Sequence, residues 1–285
     1  MRIMLATMCL NEMQWLPFLF KQHKDWPGLV SWTFVEGADF VYASANPALV
    51  SPAGLSTDGT SEWLAELAAA HPGLVTYIPY GLARNDDPSI GKVALRHAYM
   101  EVAARVKPDA MVMLDADEFY TYRDQAKVNG VFAGHPSIDS FIFLRREIWR
   151  PPALENDPLM TWEVTGGFWN IPCCHWWRWH PGMGYTNCHN TPTAPGRLLH
   201  INRLDLRSDP DAPQMVHLGF ASILTYRHAK NRYYAQRGEA SDPMRQWYVK
   251  SRRMFNIWRP GMPLPRGAKV SAYNGPVPEV FAATA

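Results

Sequence analysis

Ala110-Met111-Val112-Met113-Leu114 runs directly into Asp115-Ala116-Asp117-Glu118. Five consecutive apolar residues read as a buried strand, and the carboxylates that follow read as its mouth. In a strand, side chains at i and i+2 share a face, so the spacing predicts Asp115 and Asp117 on one side and Ala116 on the other. Carboxylates that close repel unless a cation lies between them, and Mg²⁺ or Mn²⁺ takes one or two carboxylates together with substrate phosphate oxygens. The stretch therefore suits a divalent metal holding a diphosphate. A solvated acidic turn is the plainer alternative, because a three-residue pattern recurs by chance.

Upstream, apolar runs alternate with helical spacings. Arg2 to Met8 is a first strand, and Trp15, Leu16, Leu19, Phe20 and His23 fall on one helical face after the polar break Asn11-Glu12. Ser31 to Val35 is a second strand ended by Glu36-Gly37. Ser61 is placed to cap a helix reaching about Ala70, and Val75 to Ile78 is a third strand. Ile90 to Val106 is a long helix that delivers the chain to the acidic strand. This alternation predicts an α/β fold, a Rossmann-like and mostly parallel sheet flanked by helices. Ligands of such sheets bind outside the carboxyl ends of the strands, which puts Asn11, Glu12, Glu36, Asp115, Asp117 and Glu118 along one edge. Neither GxGxxG after the first strand nor GxxxxGK[ST] anywhere is present, so a dinucleotide oxidoreductase and a P-loop enzyme lose support.

The 285 residues are 47% hydrophobic and 19% charged, which excludes a disordered chain. Four cysteines without a CxxC pair make no disulfide framework and point to a reducing, cytoplasmic setting. No stretch approaches the roughly 20 apolar residues of a membrane span. From about Pro151 the sequence turns Trp- and His-rich, with strand-like pieces at Trp162 to Trp169 and Cys174 to Trp179. It reads as an irregular acceptor region whose tryptophans mostly pack in the core, and its Cys and His spacings fit no structural zinc site.

Net charge is +2, but its distribution is uneven. Between Tyr226 and Lys269 there are 11 Lys/Arg against Glu239 and Asp242, which leaves 17 Lys/Arg against 24 Asp/Glu elsewhere. Tyr226 to Arg237 and Met244 to Trp258 read as basic helices interleaved with aromatics, and Pro260 to Gly275 as an extended tail. Cations beside exposed rings suit nucleic acid, while an ordinary solvated helix face is the alternative. The expected organisation is a catalytic body over residues 1–225 and a basic aromatic helical extension over 226–285.

Taken in order, these blocks resemble the family 2 type glycosyltransferases of the GT-A fold. The series runs from Asn11-Glu12 through Phe34-Val35-Glu36-Gly37-Ala38-Asp39 and Lys92-x-x-x-Arg96 to Met113-Leu114-Asp115-Ala116-Asp117-Glu118-Phe119. Trp177-Arg178-Trp179, Tyr185-x-x-x-His189, His217-Leu218-Gly219-Phe220 and Lys230-Asn231-Arg232-Tyr233 follow. The resemblance implies a hexosyl- or pentosyltransferase that uses a nucleotide-diphosphate sugar and Mn²⁺ or Mg²⁺. It assigns Glu12 and Glu36 to the nucleoside, Asp115 to the ribose and metal, and Asp117 and His217 to the metal. Lys92 falls to the donor, Arg96 to the donor phosphates or the acidic cluster, and Lys230 and Arg232 to the phosphates or the closing C-terminal segment. Where relatives carry His-Glu this chain has His189-Asn190, and an amide cannot take a proton, so the base becomes Glu163, Asp205 or another acid, or configuration is retained. With the basic tail, a hydroxymethylated DNA base is one acceptor, as for some bacteriophage enzymes, and it would have to be extruded from the duplex. A saccharide, lipid-linked or protein acceptor is the other. Two further classes stay open: a non-catalytic nucleic-acid or carbohydrate binder on the same scaffold, and a metal-dependent phosphohydrolase.

Overall fold

A computed structural model describes residues 1–84, 88–149, 162–165, 172–173, 175–186, 192–196, 199, 202–236, 269–273 and 275–282. The elements run β1 (Ile3–Cys9), α1 (Leu16–His23), β2 (Leu29–Asp39), α2 (Phe40–Ala45), α3 (Thr60–Ala70), β3 (Val75–Ala83), α4 (Pro88–Val106), β4 (Ala110–Met113), β5 (Glu118–Phe119), α5 (Tyr122–Gly134) and β6 (Ser140–Leu144). They continue with β7 (Arg146–Trp149), β8 (Trp162–Thr165), β9 (Pro172–Cys173), β10 (Trp176–Arg178), β11 (Arg203–Asp205), β12 (Val216–Phe220), α6 (Leu224–Gln236), β13 (Lys269–Ala272) and α7 (Glu279–Ala282).

The expected α/β architecture is the one observed. The main sheet has the order β11-β6-β10-β4-β1-β2-β3, with β3, β2, β1 and β4 parallel and β10 antiparallel between β4 and β6. From β1 the connections go outward in both directions, to β2 on one side and β4 on the other. That reversal opens a crevice at the carboxyl ends of β1 and β4, where Asn11-Glu12 and Asp115-Ala116-Asp117 emerge. A second sheet, ordered β13-β8-β7-β12-β5, carries the chain out of the acidic turn.

Packing explains why these residues form these layers. β1 and β4 are buried on both faces, as central parallel strands must be, and read as apolar runs broken only by Thr7 in β1. One face meets α1 through Leu16, Leu19 and Phe20, beside Trp26, Trp32 and Phe34; the other meets α4 through Leu95, Tyr99 and Val102. α5 begins on a reciprocal cap, with Thr121 Oγ1 accepting from the Asp124 amide at 3.1 Å and donating to Asp124 Oδ2 at 2.6 Å.

Several boundaries differ from the sequence reading. β2 and β3 run on to Asp39 and Ala83, because their parallel pairing continues past a register shift at Glu36/Gly37. Ser61 does not cap α3: Gly59, at φ +92°, takes that place, and the Ser61 hydroxyl donates instead to Glu36 Oε1 at 2.7 Å. The expected tail contains a strand, since Lys269–Ala272 pairs with β8. Trp176 and Trp177 are core residues, with Trp176 against Phe141 and Phe143. The boundary expected at 225/226 falls inside α6. Met244 to Trp258 and His189-Asn190 lie outside the described residues. Among the described residues no helix is long and apolar enough to cross a membrane.

Candidate active site

β4 ends at Met113, so Asp115 and Asp117 lie on a turn and the two-residue alternation of a strand does not apply to them. Ala116 and Asp117 are buried, whereas Asp115 is exposed. The turn is held from below, with the Asp115 amide donating to Glu118 Oε2 at 3.0 Å. His175 Nδ1 lies 3.0 Å from the same oxygen.

β12 brings His217 to this turn. It pairs antiparallel with β5 and parallel with β7, so Glu118, His217 and Glu147 stand in register across three strands. His217 Nε2 lies 3.5 Å from Asp117 Oδ2, and Nδ1 lies 2.5 Å from Glu147 Oε2. Arg145 closes the arrangement: its Nε donates to Glu147 Oε1, and its Nη1 is 3.7 Å from Glu118 Oε1. Burial pushes the Glu147 carboxyl up, but Arg145 and His217 together outweigh burial and hold it down at about 2.

Gly219 keeps the approach to this pair open. A Cβ there would lie 2.5 Å from His217 Cε1, 2.9 Å from Nε2 and 3.2 Å from Asp117 Oδ2. The donor set thus combines an imidazole nitrogen and a carboxylate oxygen, side by side, beneath a space that a side chain would fill. That chemistry fits a divalent cation completed by phosphate oxygens and water. The three-residue set Asp115, Asp117 and His217 does not converge, however: among the described residues no group of three His, Cys, Asp or Glu is placed to hold a metal ion.

Across the crevice, Asn11 adopts φ 55° at the end of β1, a left-handed conformation that Asn tolerates. It ties down the 49–57 loop by donating from Nδ2 to the Leu49 carbonyl and accepting from the Thr57 amide. Glu12 is thereby left facing the acidic turn. Burial, then Asp117, with Asp115 and Asp58 adding, drives its carboxyl well above the usual range against the opposing pull of Lys230. Asp58 accepts from the Met13 amide and the Tyr226 hydroxyl, which joins the α3 entry to α6. Asn46 locks α6 from the other side: Nδ2 donates to the Ala229 carbonyl at 3.2 Å and Oδ1 accepts from Arg232 Nε at 2.8 Å.

The remaining expected residues are placed as follows. Glu36 is fully buried and accepts from the Ser56 amide at 2.8 Å, the Ser61 hydroxyl at 2.7 Å and the Tyr77 hydroxyl, so it organises the 56–61 loop. Lys92 Nζ stands 5.1 Å over the Tyr233 ring. Arg96 is buried below the turn, with Nη1 donating to the Tyr99 hydroxyl at 2.9 Å and the guanidinium 5.0 Å from the centre of the Tyr185 ring. Asp205 lies on β11, three strands from β4, or roughly 14 Å at normal strand spacing, and Arg207 donates to both its oxygens. The backbone of Glu163 lies in the His217 sheet, in register with Ile148, and its side chain lies outside the described set. Glu147, Arg145, His175 and Asp58 were missed. Only Asp58 carried a local signal, the turn-and-cap pattern Ser56-Thr57-Asp58-Gly59-Thr60.

No protein-family model matches the chain. No curated protein matches it in sequence. Among solved structures it is similar to S. aureus TarS 1–349 in complex with UDP-GlcNAc, with TM-score 0.40, 10% identity, and 89% of this chain and 73% of that chain covered. It is also similar to mannose-1-phosphate geranyltransferase from Thermus thermophilus, with TM-score 0.24, 10% identity, and 88% and 68% covered. Against the longer TarS structure the chain spans 22% of that chain's length, at 13% identity and TM-score 0.34.

Proposed function

We propose that the chain is a metal-dependent glycosyltransferase of the GT-A fold, which moves a sugar from a nucleotide-diphosphate sugar to an acceptor hydroxyl. The observation that carries this reading is the Asp117 Oδ2 and His217 Nε2 pair beneath the opening left by Gly219, at the sheet's switch point. Asp117 and His217 would hold Mn²⁺ or Mg²⁺, with Asp115 on the exposed side of the turn. When bound, the cation supplies neutralisation of the charge that develops on the departing nucleoside diphosphate.

The protein's own groups then have distinct tasks. Glu12 and Asp58 flank the nucleoside side of the crevice. Lys230, whose charge opposes that of Glu12, and Arg232 stand on α6 to meet phosphate. Arg96 supports the turn from beneath. Of the two carboxylates expected to act as base, we assign the role to Glu163, which shares a sheet with His217. The concentration of 11 Lys/Arg between Tyr226 and Lys269 supports a polyanionic acceptor, DNA that carries a hydroxymethylated base.

Donor hydrolysis with and without EDTA tests the metal role: undiminished turnover in Asp117→Ala, or without metal, would sink it. Mass spectrometry of nucleotide sugars incubated with a panel of acceptors, hydroxymethylated DNA included, tests the acceptor. Binding to duplex DNA whose log K does not change with log salt would remove DNA from that panel.

A further inference from the structure

Glu147 makes two contacts of opposite origin. Its Oε1 accepts from Arg145 Nε, and its Oε2 lies 2.5 Å from His217 Nδ1. An ionised carboxylate only accepts hydrogen bonds, so at that distance the proton between Glu147 and the ring belongs to Nδ1. Nε2 then turns its lone pair toward Asp117 Oδ2, at 3.5 Å, longer than a normal N–H···O bond. Arg145 also approaches Glu118, whose other oxygen holds the Asp115 amide. A single guanidinium therefore braces both halves of the acidic site from behind.

We propose that Glu147, held by Arg145, is a positioning residue that fixes His217 as the Nδ1–H tautomer and so presents its Nε2 lone pair beside Asp117. The consequence for metal affinity rests on the transferase reading above, but the tautomer does not and is measurable without metal. Glu147→Gln is the diagnostic change. Arg145 Nε can only donate, so it claims the amide oxygen and leaves the amide nitrogen facing Nδ1. That nitrogen donates in turn and forces the ring proton onto Nε2, the wrong-tautomer effect known from carboxylate-to-amide changes beside a catalytic histidine.

The test uses ¹⁵N-histidine-labelled, metal-free protein at about pH 8, well above the ordinary histidine pKa. Long-range ¹H–¹⁵N spectra are recorded, with the His217 signals identified by their loss in His217→Gln. The expected result is Nδ1–H in the wild type and Nε2–H in Glu147→Gln. In parallel, Mn²⁺ binding is followed by electron paramagnetic resonance with UDP, GDP, CDP, ADP and dTDP in turn. Affinity should fall about 10- to 100-fold in Glu147→Gln, at least as far as in Glu147→Ala, although the amide is nearly isosteric. A purely structural role predicts the reverse order. A neutral Nε2–H ring or a doubly protonated ring in the wild type overturns the proposal, as does a Gln variant milder than the Ala variant. Should Glu147→Gln fail to fold, Glu147→Asp, which keeps the acceptor, must retain the Nδ1–H tautomer. A wild type with the Nδ1–H ring that binds no Mn²⁺ with any diphosphate would instead sink the metal reading and leave the positioning intact.

Discussion

The amide of Leu218 donates to the carbonyl of Asp117 at 2.7 Å, so the acidic turn and the strand that carries His217 are stitched together through their backbones. The Asp117 and His217 side chains consequently have little freedom to separate while the second sheet is intact. What can vary is the space above them.

Gly219 governs that space. Gly219→Ala puts a methyl group 2.5 Å from His217 Cε1, and relief requires the imidazole to swing away from Asp117. Donor turnover should drop by about 10² or more, with far-UV circular dichroism retained and a loss of stability of about 1–3 kcal/mol from the overpacking. Retention of full turnover would show that the open face of the pair is not where the donor binds.

Glu12 is buried among like charges: burial first, and Asp117 after it, raise its carboxyl well above the usual range. Neutralising it in Glu12→Gln should stabilise the metal-free protein by about 0.5–2 kcal/mol near neutral pH, as relief of active-site strain commonly does, while donor turnover falls. Thermal unfolding with and without Mn²⁺ reads the first effect: the gain in Tm should shrink once the cation offsets the same repulsion.

Glu147 gives a pH dependence of defined sign. Its folded carboxyl is held at about 2 against an ordinary 4.5. Its contribution is therefore fully present above pH 4.5 and is lost as pH falls toward 2. The difference of about 2.5 units corresponds to on the order of 3 kcal/mol. Urea unfolding across that window should show a steeper loss of stability in the wild type than in Glu147→Gln.

Asn46 is buried and spans α2 and α6. Asn46→Ala removes its hydrogen bonds to the Ala229 carbonyl and from Arg232 Nε, a cost of about 1–3 kcal/mol for the two together. Because α6 also carries Tyr226 and Lys230, the apparent KM for the donor should rise more than kcat falls. Equal changes in both would place α6 outside donor binding.

The parts of this protein that could be read in sequence are those written locally. The apolar runs of β1 and β4 and the carboxylates after them carry their own meaning, because burial on both faces and a strand end are properties of a few adjacent residues. Asp117 and His217 could be paired only through the order of blocks along the chain. Arg145 and Glu147 could not be found at all: they follow β6 as ordinary charged residues, and their role exists only once β12 lies between β5 and β7. The place of Asp205 on the edge strand was not legible either, because nothing local reveals that β11 sits at the far edge of the sheet.

The register of β12 also has a consequence for how the protein comes into being. His217 pairs with Glu118 across an interval of 99 residues (217 minus 118), and its other neighbour, Glu147, is 70 residues back. Contacts this distant in sequence close late, after the local strand–helix units have formed. A nascent chain halted before residue 216 would own the crevice and the acidic turn but no partner for Asp117, so acquisition of donor binding during refolding should report docking of the last central strand.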